Sequence, residues 1–260
     1  MTDIKDKTQL GSVETTVQEG IGTITFYHPA HNSLPGKLLA ELRDAIDFAG
    51  QNDAIKVIIL KSAGERTFCA GASFDELISI DNFEIGKEFF LGFANVINAC
   101  RKCPKLIIGR VQGKAVGGGV GVASATDYCF ATKFASVKLS ELAVGIGPFV
   151  VGPAVERKIG TSAMTQLAFN ATEWRSAEWA RDKGLYADIY ENAEEMDKAV
   201  MTLAQNLAKS NPEAMRLMKL AFWKEADHWD QLLDERAAMS GKLVLSDFTR
   251  NAIEKFKSKA

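Results

Sequence analysis

The chain has 260 residues, 47% of them hydrophobic and 25% charged, with a formal net charge of −2. That length and apolar content suit one large domain, or a core with a smaller appendage. The near-neutral charge argues against a general nucleic-acid binder, which carries a basic face, and no apolar run reaches membrane-spanning length.

The opening MTDIKDKTQ lacks the apolar core of a signal peptide, so a cytoplasmic protein is expected. Residues 14–17 and 21–27 read as two short strands joined across Glu19-Gly20, a hairpin signal. His28-Pro29-Ala30-His31-Asn32-Ser33-Leu34 breaks the second strand. No carboxylate or third ligand follows His28 and His31 at useful spacing, so they are read as turn residues and no metal is expected. Pro35 suits the first turn of a helix that runs to about Ala49, with Ser33 or Leu34 near its cap.

Residues 55–61 form the next expected strand, followed by a loop of small residues, Thr67 to Ser73. Asp75 and Glu76 then favour the start of a surface helix, where acids meet the positive end of the dipole. Residues 85–101 carry Phe89, Phe90, Phe93, Val96 and Ile97 at helical spacing, a stripe expected in the core. Strands are expected at 106–111 and 127–132, on either side of a glycine-rich turn and a small-residue segment at 120–125 that can open a helix. From Asn192 the patterns become helical, with Pro212 as a helix start and the charges of residues 224–236 as a solvated face. The recurring strand, turn and helix fit an α/β fold. Cys69, Cys100, Cys103 and Cys129 do not form a disulfide framework in a chain this long. Cys100-x-x-Cys103 closes a helix before Pro104, the wrong end for a dipole-activated redox pair, so free thiols are expected.

The segment Lys114 to Gly121, KAVGGGVG, sits where a strand turns into a helix. Glycines there let the backbone approach a ligand closely, and free N–H groups at the helix start favour a negatively charged oxygen. The patterns of phosphate-binding loops are not matched, and tight helix–strand packing with no ligand is the plainer alternative. A second loop, Thr67-Phe68-Cys69-Ala70-Gly71-Ala72-Ser73, also follows an apolar strand. Two such loops can each give one backbone N–H to a single oxygen, the arrangement of an oxyanion hole.

FCAGA at 68–72, GKAVGGGVGVASATD at 113–127 and SELAVGIGP at 140–148, in that order and spacing, resemble the crotonase (enoyl-CoA hydratase/isomerase) superfamily. The resemblance runs from about Glu14 to about Asp188, and more loosely beyond. It implies a spiral of ββα units over residues 1–195, holding an acyl-CoA site, and a helical oligomerisation region at 196–260 that builds a homo-trimer or a dimer of trimers. It further implies that Ala72 and Gly118 donate their N–H groups to the thioester oxygen and that Glu141 is the catalytic acid/base. Leu34 and Lys37 are expected near the coenzyme A portion, and Ala70, Gly71, Gly117, Gly121, Phe149 and Val150 around the substrate. Coenzyme A enters only as part of the substrate thioester, and no permanent cofactor, nucleic acid or membrane partner is implied.

Departures narrow the chemistry. Family hydratases acting on simple enoyl-CoAs carry a second glutamate two residues after the glycine triplet, where this chain has Gly121. Dienoyl-CoA isomerases of the family carry an aspartate where this chain has Phe149. SELAVGIGPFVVGP resembles the methylglutaconyl-CoA hydratase-like branch, which tolerates a small residue at the position of Gly121. The expected reaction is therefore hydration of a 2-enoyl-CoA, branched or carboxylated. Double-bond isomerisation by one glutamate is the alternative, and non-catalytic acyl-CoA binding a further one. Asp75, Glu76 and Glu84 are weak candidates to replace the missing acid. Apolar residues around Glu141 are expected to raise its pKa.

Overall fold

The structure is a computed structural model that describes residues 11–257, so the expectation for MTDIKDKTQ lies outside the described residues. β1 (Ser12–Gln18) and β2 (Ile21–Tyr27) form the hairpin, and α1 (Gly36–Gln51) leads to β3 (Val57–Ser62). The short β4 (Thr67–Cys69), α2 (Phe74–Ser79) and the long α3 (Phe83–Lys102) follow. β5 (Leu106–Val111) and β6 (Lys114–Val116) enter α4 (Gly118–Ala125); β7 (Tyr128–Thr132) and β8 (Val137–Lys138) lead through a 3-10 turn, Glu141–Val144, to α5 (Gly152–Phe169). α6 (Ala177–Asp182), β9 (Asp188–Tyr190), α7 (Ala193–Ala208), α8 (Pro212–Trp223), α9 (Trp229–Leu243) and α10 (Asp247–Lys257) complete the chain.

The strands build two sheets. The larger has the order β1-β2-β3-β5-β7-β9, and the smaller β4-β6-β8. Every pairing is parallel except β1 with β2, whose register Gln18↔Ile21 closes over Glu19 and Gly20, both at positive φ. Two left-handed residues match the strand twist of a tight hairpin. The chain repeatedly lays a strand in the large sheet and then a short one in the small sheet before its next helix. This is the expected α/β spiral of ββα units.

Parallel strands are covered on both faces, and their side chains alternate between two cores. Val57, Ile59 and Ile108 face Met196, Val200 and Ala204 of α7. Ile58, Leu60 and Ile107 point the other way, into the main core with Leu39, Leu42 and Ile97 of α1 and α3. Trp223, Trp229, Leu233 and Ala237 join that same core, and the expected boundary between residues 195 and 196 falls inside α7. The C-terminal helices are thus packed into the spiral. α9 crosses α3 where a Cβ on Gly241 would stand 2.6 Å from the Lys87 nitrogen.

Local signals set the helix ends. Asn82, Asn192 and Asn211 accept backbone N–H groups at the starts of α3, α7 and α8, and Pro212 takes the first turn of α8. α1 differs from expectation, since Pro35 itself is the cap residue. Glu76 reaches across from α2 to accept the Gly36 N–H at 2.8 Å. A charged oxygen at that end also meets the helix dipole. His28, bonded to Ser33 Oγ at 3.0 Å, and Asn32, donating to the carbonyls of Ala63 and Thr67, serve as turn residues. The four cysteines are buried free thiols, and burial pushes Cys69 and Cys129 up to about 12.

An ion pair with a buried lysine ties α8 to the large sheet. Asp127 pairs with Lys219 at 2.9 Å and accepts the Ile107 N–H at 2.8 Å and the Trp223 indole N–H at 2.8 Å. Lys219 also donates to the Lys105 carbonyl at 2.8 Å. Lys219→Met would leave the half-buried Asp127 without this paired ammonium, and a loss of about 2–3 kcal/mol in urea denaturation is expected, less than for a fully buried pair. An unchanged midpoint would contradict this role.

Candidate active site

The pairing of β4, β6 and β8 brings three chain exits to one end of the small sheet. Thr67 and Cys69 of β4 face Lys114 and Ala115 of β6, and Ala115 and Val116 face Val137 and Lys138 of β8. Because the strands are parallel, their C-terminal ends deliver the Gly71-Ala72 loop, the Gly117-Gly118 turn and Glu141 to a single cavity of about 360 Å³. Ligands of α/β proteins commonly sit at strand C-terminal ends.

The two loops touch. A Cβ on Gly71 would stand 2.8 Å from the Val116 carbonyl oxygen and 3.4 Å from the Gly118 nitrogen. A Cβ on Gly118 would stand 2.2 Å from the Phe93 ring. Gly117 has φ of +51° and donates its N–H to the Lys138 carbonyl at 2.8 Å. Its carbonyl takes the Val120 N–H at 2.9 Å, starting α4. Among the described residues no acceptor is matched to the N–H of Ala72 or of Gly118, and both residues line the cavity. Leu34 holds the first loop from outside the cavity: its N–H donates to the Gly71 carbonyl at 2.8 Å, and it forms a parallel β-bridge with Ala72.

Glu141 opens the 3-10 turn, and Gly145, at φ of +81°, closes it. α10 leans on this turn, where a Cβ at Gly145 would meet Phe248 at 2.5 Å. The Glu141 carboxyl lies against Gly117, with Oε1 3.0 Å from where a Cβ would stand there. Its Oε2 is buried and has no hydrogen-bond partner. Desolvation, opposed only weakly by a hydrogen bond to its own backbone, raises this carboxyl to about 7. A group so poised holds or releases a proton near neutrality.

Most of the expected site residues meet here: Ala70, Gly71, Ala72, Gly117, Gly118, Glu141, Phe149 and Val150 all line the cavity. Leu34, Lys37 and Gly121 do not. Leu34 is fully buried in the core, and Lys37 is exposed on α1 with Glu41 3.8 Å away. Gly121 sits inside α4, where a Cβ would stand 2.5 Å from Cγ1 of Val151. Val151 fills the space beside Gly121 and itself lines the cavity. Glu76 is turned toward Gly36 and away from this cavity, which neither Asp75 nor Glu84 lines. Phe93, read as core, is both core and cavity wall. Val151, within SELAVGIGPFVVGP, also lines the site, as do Lys138 and Thr172, which carry no motif; for Lys138 the one available signal is its place between buried Val137 and Leu139.

A family model described as enoyl-CoA hydratase/isomerase matches residues 16–259. The mitochondrial methylglutaconyl-CoA hydratase of Mus musculus is 32% identical over 194 residues, covering 73% of this chain and 61% of that protein. The peroxisomal Delta(3,5)-Delta(2,4)-dienoyl-CoA isomerase of Arabidopsis thaliana is 27% identical over 242 residues, covering 86% and 85%. The crystal structure of enoyl-CoA hydratase from Bacillus halodurans superimposes with a TM-score of 0.87 at 23% identity, covering 94% of this chain and 99% of that one, which shows the shared fold.

The contact between Gly121 and Val151 makes a test. Gly121→Glu is expected to destabilise by about 1–3 kcal/mol, as overpacked sites do. Val151→Ala in the same chain should recover part of the loss, read as a coupling energy in a double-mutant cycle of thermal melts. Strict additivity of the two changes would contradict the contact.

Proposed function

The chain belongs to the enoyl-CoA hydratase/isomerase family, and from that premise we propose that it catalyses the reversible hydration of a 2-enoyl-CoA, branched or carboxylated. The observation that carries the reading is a buried, unpartnered carboxyl oxygen on Glu141 in the same cavity as the two unmatched N–H groups of Ala72 and Gly118.

The thioester oxygen accepts from both N–H groups, which stabilise the negative charge it gains as the enolate forms. Glu141 takes a proton from water as the hydroxyl adds to C3, and returns that proton to C2. Dehydration is the same path reversed. Water is thereby added across one double bond, with no residue changed at the end. Phe149, Val150 and Val151 add apolar walls to the cavity that holds the carboxyl; such surroundings penalise its charged form, so both protonation states are populated near neutral pH. Lys37, exposed at the start of α1, is placed toward the coenzyme A portion in this reading.

One observation favours a second reading. Val151 occupies the space beside Gly121, so nothing there supplies a second acid. A lone Glu141 can remove a proton from C2 of a 3-enoyl-CoA and return it at C4, moving the double bond to position 2. The 32% identity with the mouse hydratase supports hydration as the first choice. In the same reading residues 196–260 serve assembly. Leu217, Leu220 and Phe222 stand exposed on α8, which supports their burial between copies in a trimer or dimer of trimers.

Mass spectrometry of a panel of enoyl-CoA esters in deuterated water separates these outcomes. A product heavier by one water is expected; a moved double bond with deuterium and no added water would make the enzyme an isomerase. Glu141→Gln is expected to lower kcat by roughly 10²- to 10⁴-fold while acyl-CoA binding persists; equal turnover in the variant would remove Glu141 from the chemistry. Since the Glu141 carboxyl is raised to about 7, its base form is populated above that pH, and hydration should slow as pH falls through it.

A further inference from the structure

Among the described residues that line the cavity, Glu141 is the only acid and Lys138 the only cation. Lys138 alternates with Val137 and Leu139, which are buried in the core, so it leaves the opposite face of the small sheet. Its partner across the ladder, Val116, lines the same cavity. The Lys138 ammonium stands 4.6 Å from the ring centroid of Trp174, and the Lys114 ammonium stands 4.9 Å from the same centroid. Trp174 is 41% exposed.

This positive charge is uncompensated. Among the described residues neither lysine forms an ion pair, whereas Lys87, Lys133 and Lys219 each meet a carboxylate. Lys138 is held below its ordinary pKa by burial and by the neighbouring charge of Lys114, with no acid opposing them. Ser140, Thr172 and Ser240 also line the cavity and are polar residues in a largely apolar wall.

We propose that Lys138 holds a carboxylate at the distal end of the acyl group, so that the enzyme selects thioesters of dicarboxylic acids over those of neutral acids. The proposal rests on the acyl-CoA reading of the cavity and names its substrate class. An ammonium over an aromatic ring keeps its charge available to a further anion, and a charge-assisted hydrogen bond in a partly buried site is among the stronger polar contacts. The anion that such a site attracts has two sources, the acyl carboxylate and a phosphate of coenzyme A, and the test separates them.

Isothermal titration calorimetry with glutaryl-CoA, pentanoyl-CoA and free coenzyme A reads the preference directly. Both esters are saturated and can be neither hydrated nor isomerised, so failure of the hydration reading leaves this comparison standing. Wild-type enzyme is expected to bind glutaryl-CoA at least about tenfold more tightly than pentanoyl-CoA. Lys138→Met should bring the ratio close to one, and Lys138→Arg should keep most of it. A wild-type ratio near one, measured before any variant, overturns the proposal, as does a ratio that Lys138→Met leaves unchanged. If Lys138→Met weakens free coenzyme A as much as glutaryl-CoA, the anion held is a phosphate and the proposal also fails. Should the Met variant not fold, Lys138→Gln carries the same comparison.

Discussion

The parallel pairing of β4, β6 and β8 is the constraint on which the site depends. Three short strands, none longer than three residues, have little stability by themselves. They are held because each continues a long strand or helix anchored in the main core, and Phe68, Cys69, Ala115 and Val137 are buried there. Once the ladder forms, the Gly71-Ala72 loop, the Gly117-Gly118 turn and Glu141 have no freedom to part. The geometry of the cavity is then a property of the sheet, and the loops inherit its rigidity.

Burial does two things at the same point. It leaves Oε2 of Glu141 without a protein partner, and it raises the carboxyl to about 7. An unsatisfied buried oxygen is costly, and folds retain such groups where chemistry uses them. The neighbours that impose this burial are tightly fitted. Gly117 admits the carboxyl because it has no Cβ, and Gly118 admits the Phe93 ring for the same reason. The glycine triplet is therefore as much a packing device as a source of N–H groups. The two readings of that segment are not exclusive.

Much of this was legible in the chain itself. Strand positions followed from apolar runs bounded by turn residues, and Asn211-Pro212 and Asn192 marked helix starts that the structure uses as caps. The loops at Ala72 and Gly118 stood out through their small residues. What escaped was set by contacts distant in sequence. The cap of α1 was expected near Ser33 or Leu34; it falls on Pro35, and Glu76, on another helix, supplies the oxygen for the Gly36 N–H. Gly121 was read as part of the substrate site, yet Val151 reaches it from the start of α5 and takes the space. Lys138 gave no motif at all, since its meaning depends on which face of a two-residue strand meets the cavity. Periodicity does not report such pairings.

The central claim is that the N–H groups of Ala72 and Gly118 converge on one thioester oxygen. Isotope-edited infrared spectroscopy of a bound acyl-CoA, labelled with carbon-13 at the thioester carbonyl, tests it most directly. Two hydrogen bonds to that oxygen weaken the carbonyl bond, so its stretch should move to lower frequency on binding than in water. A bound ester whose carbonyl stretch matches that of the free ester, or shifts to higher frequency as in an apolar solvent, would contradict the account.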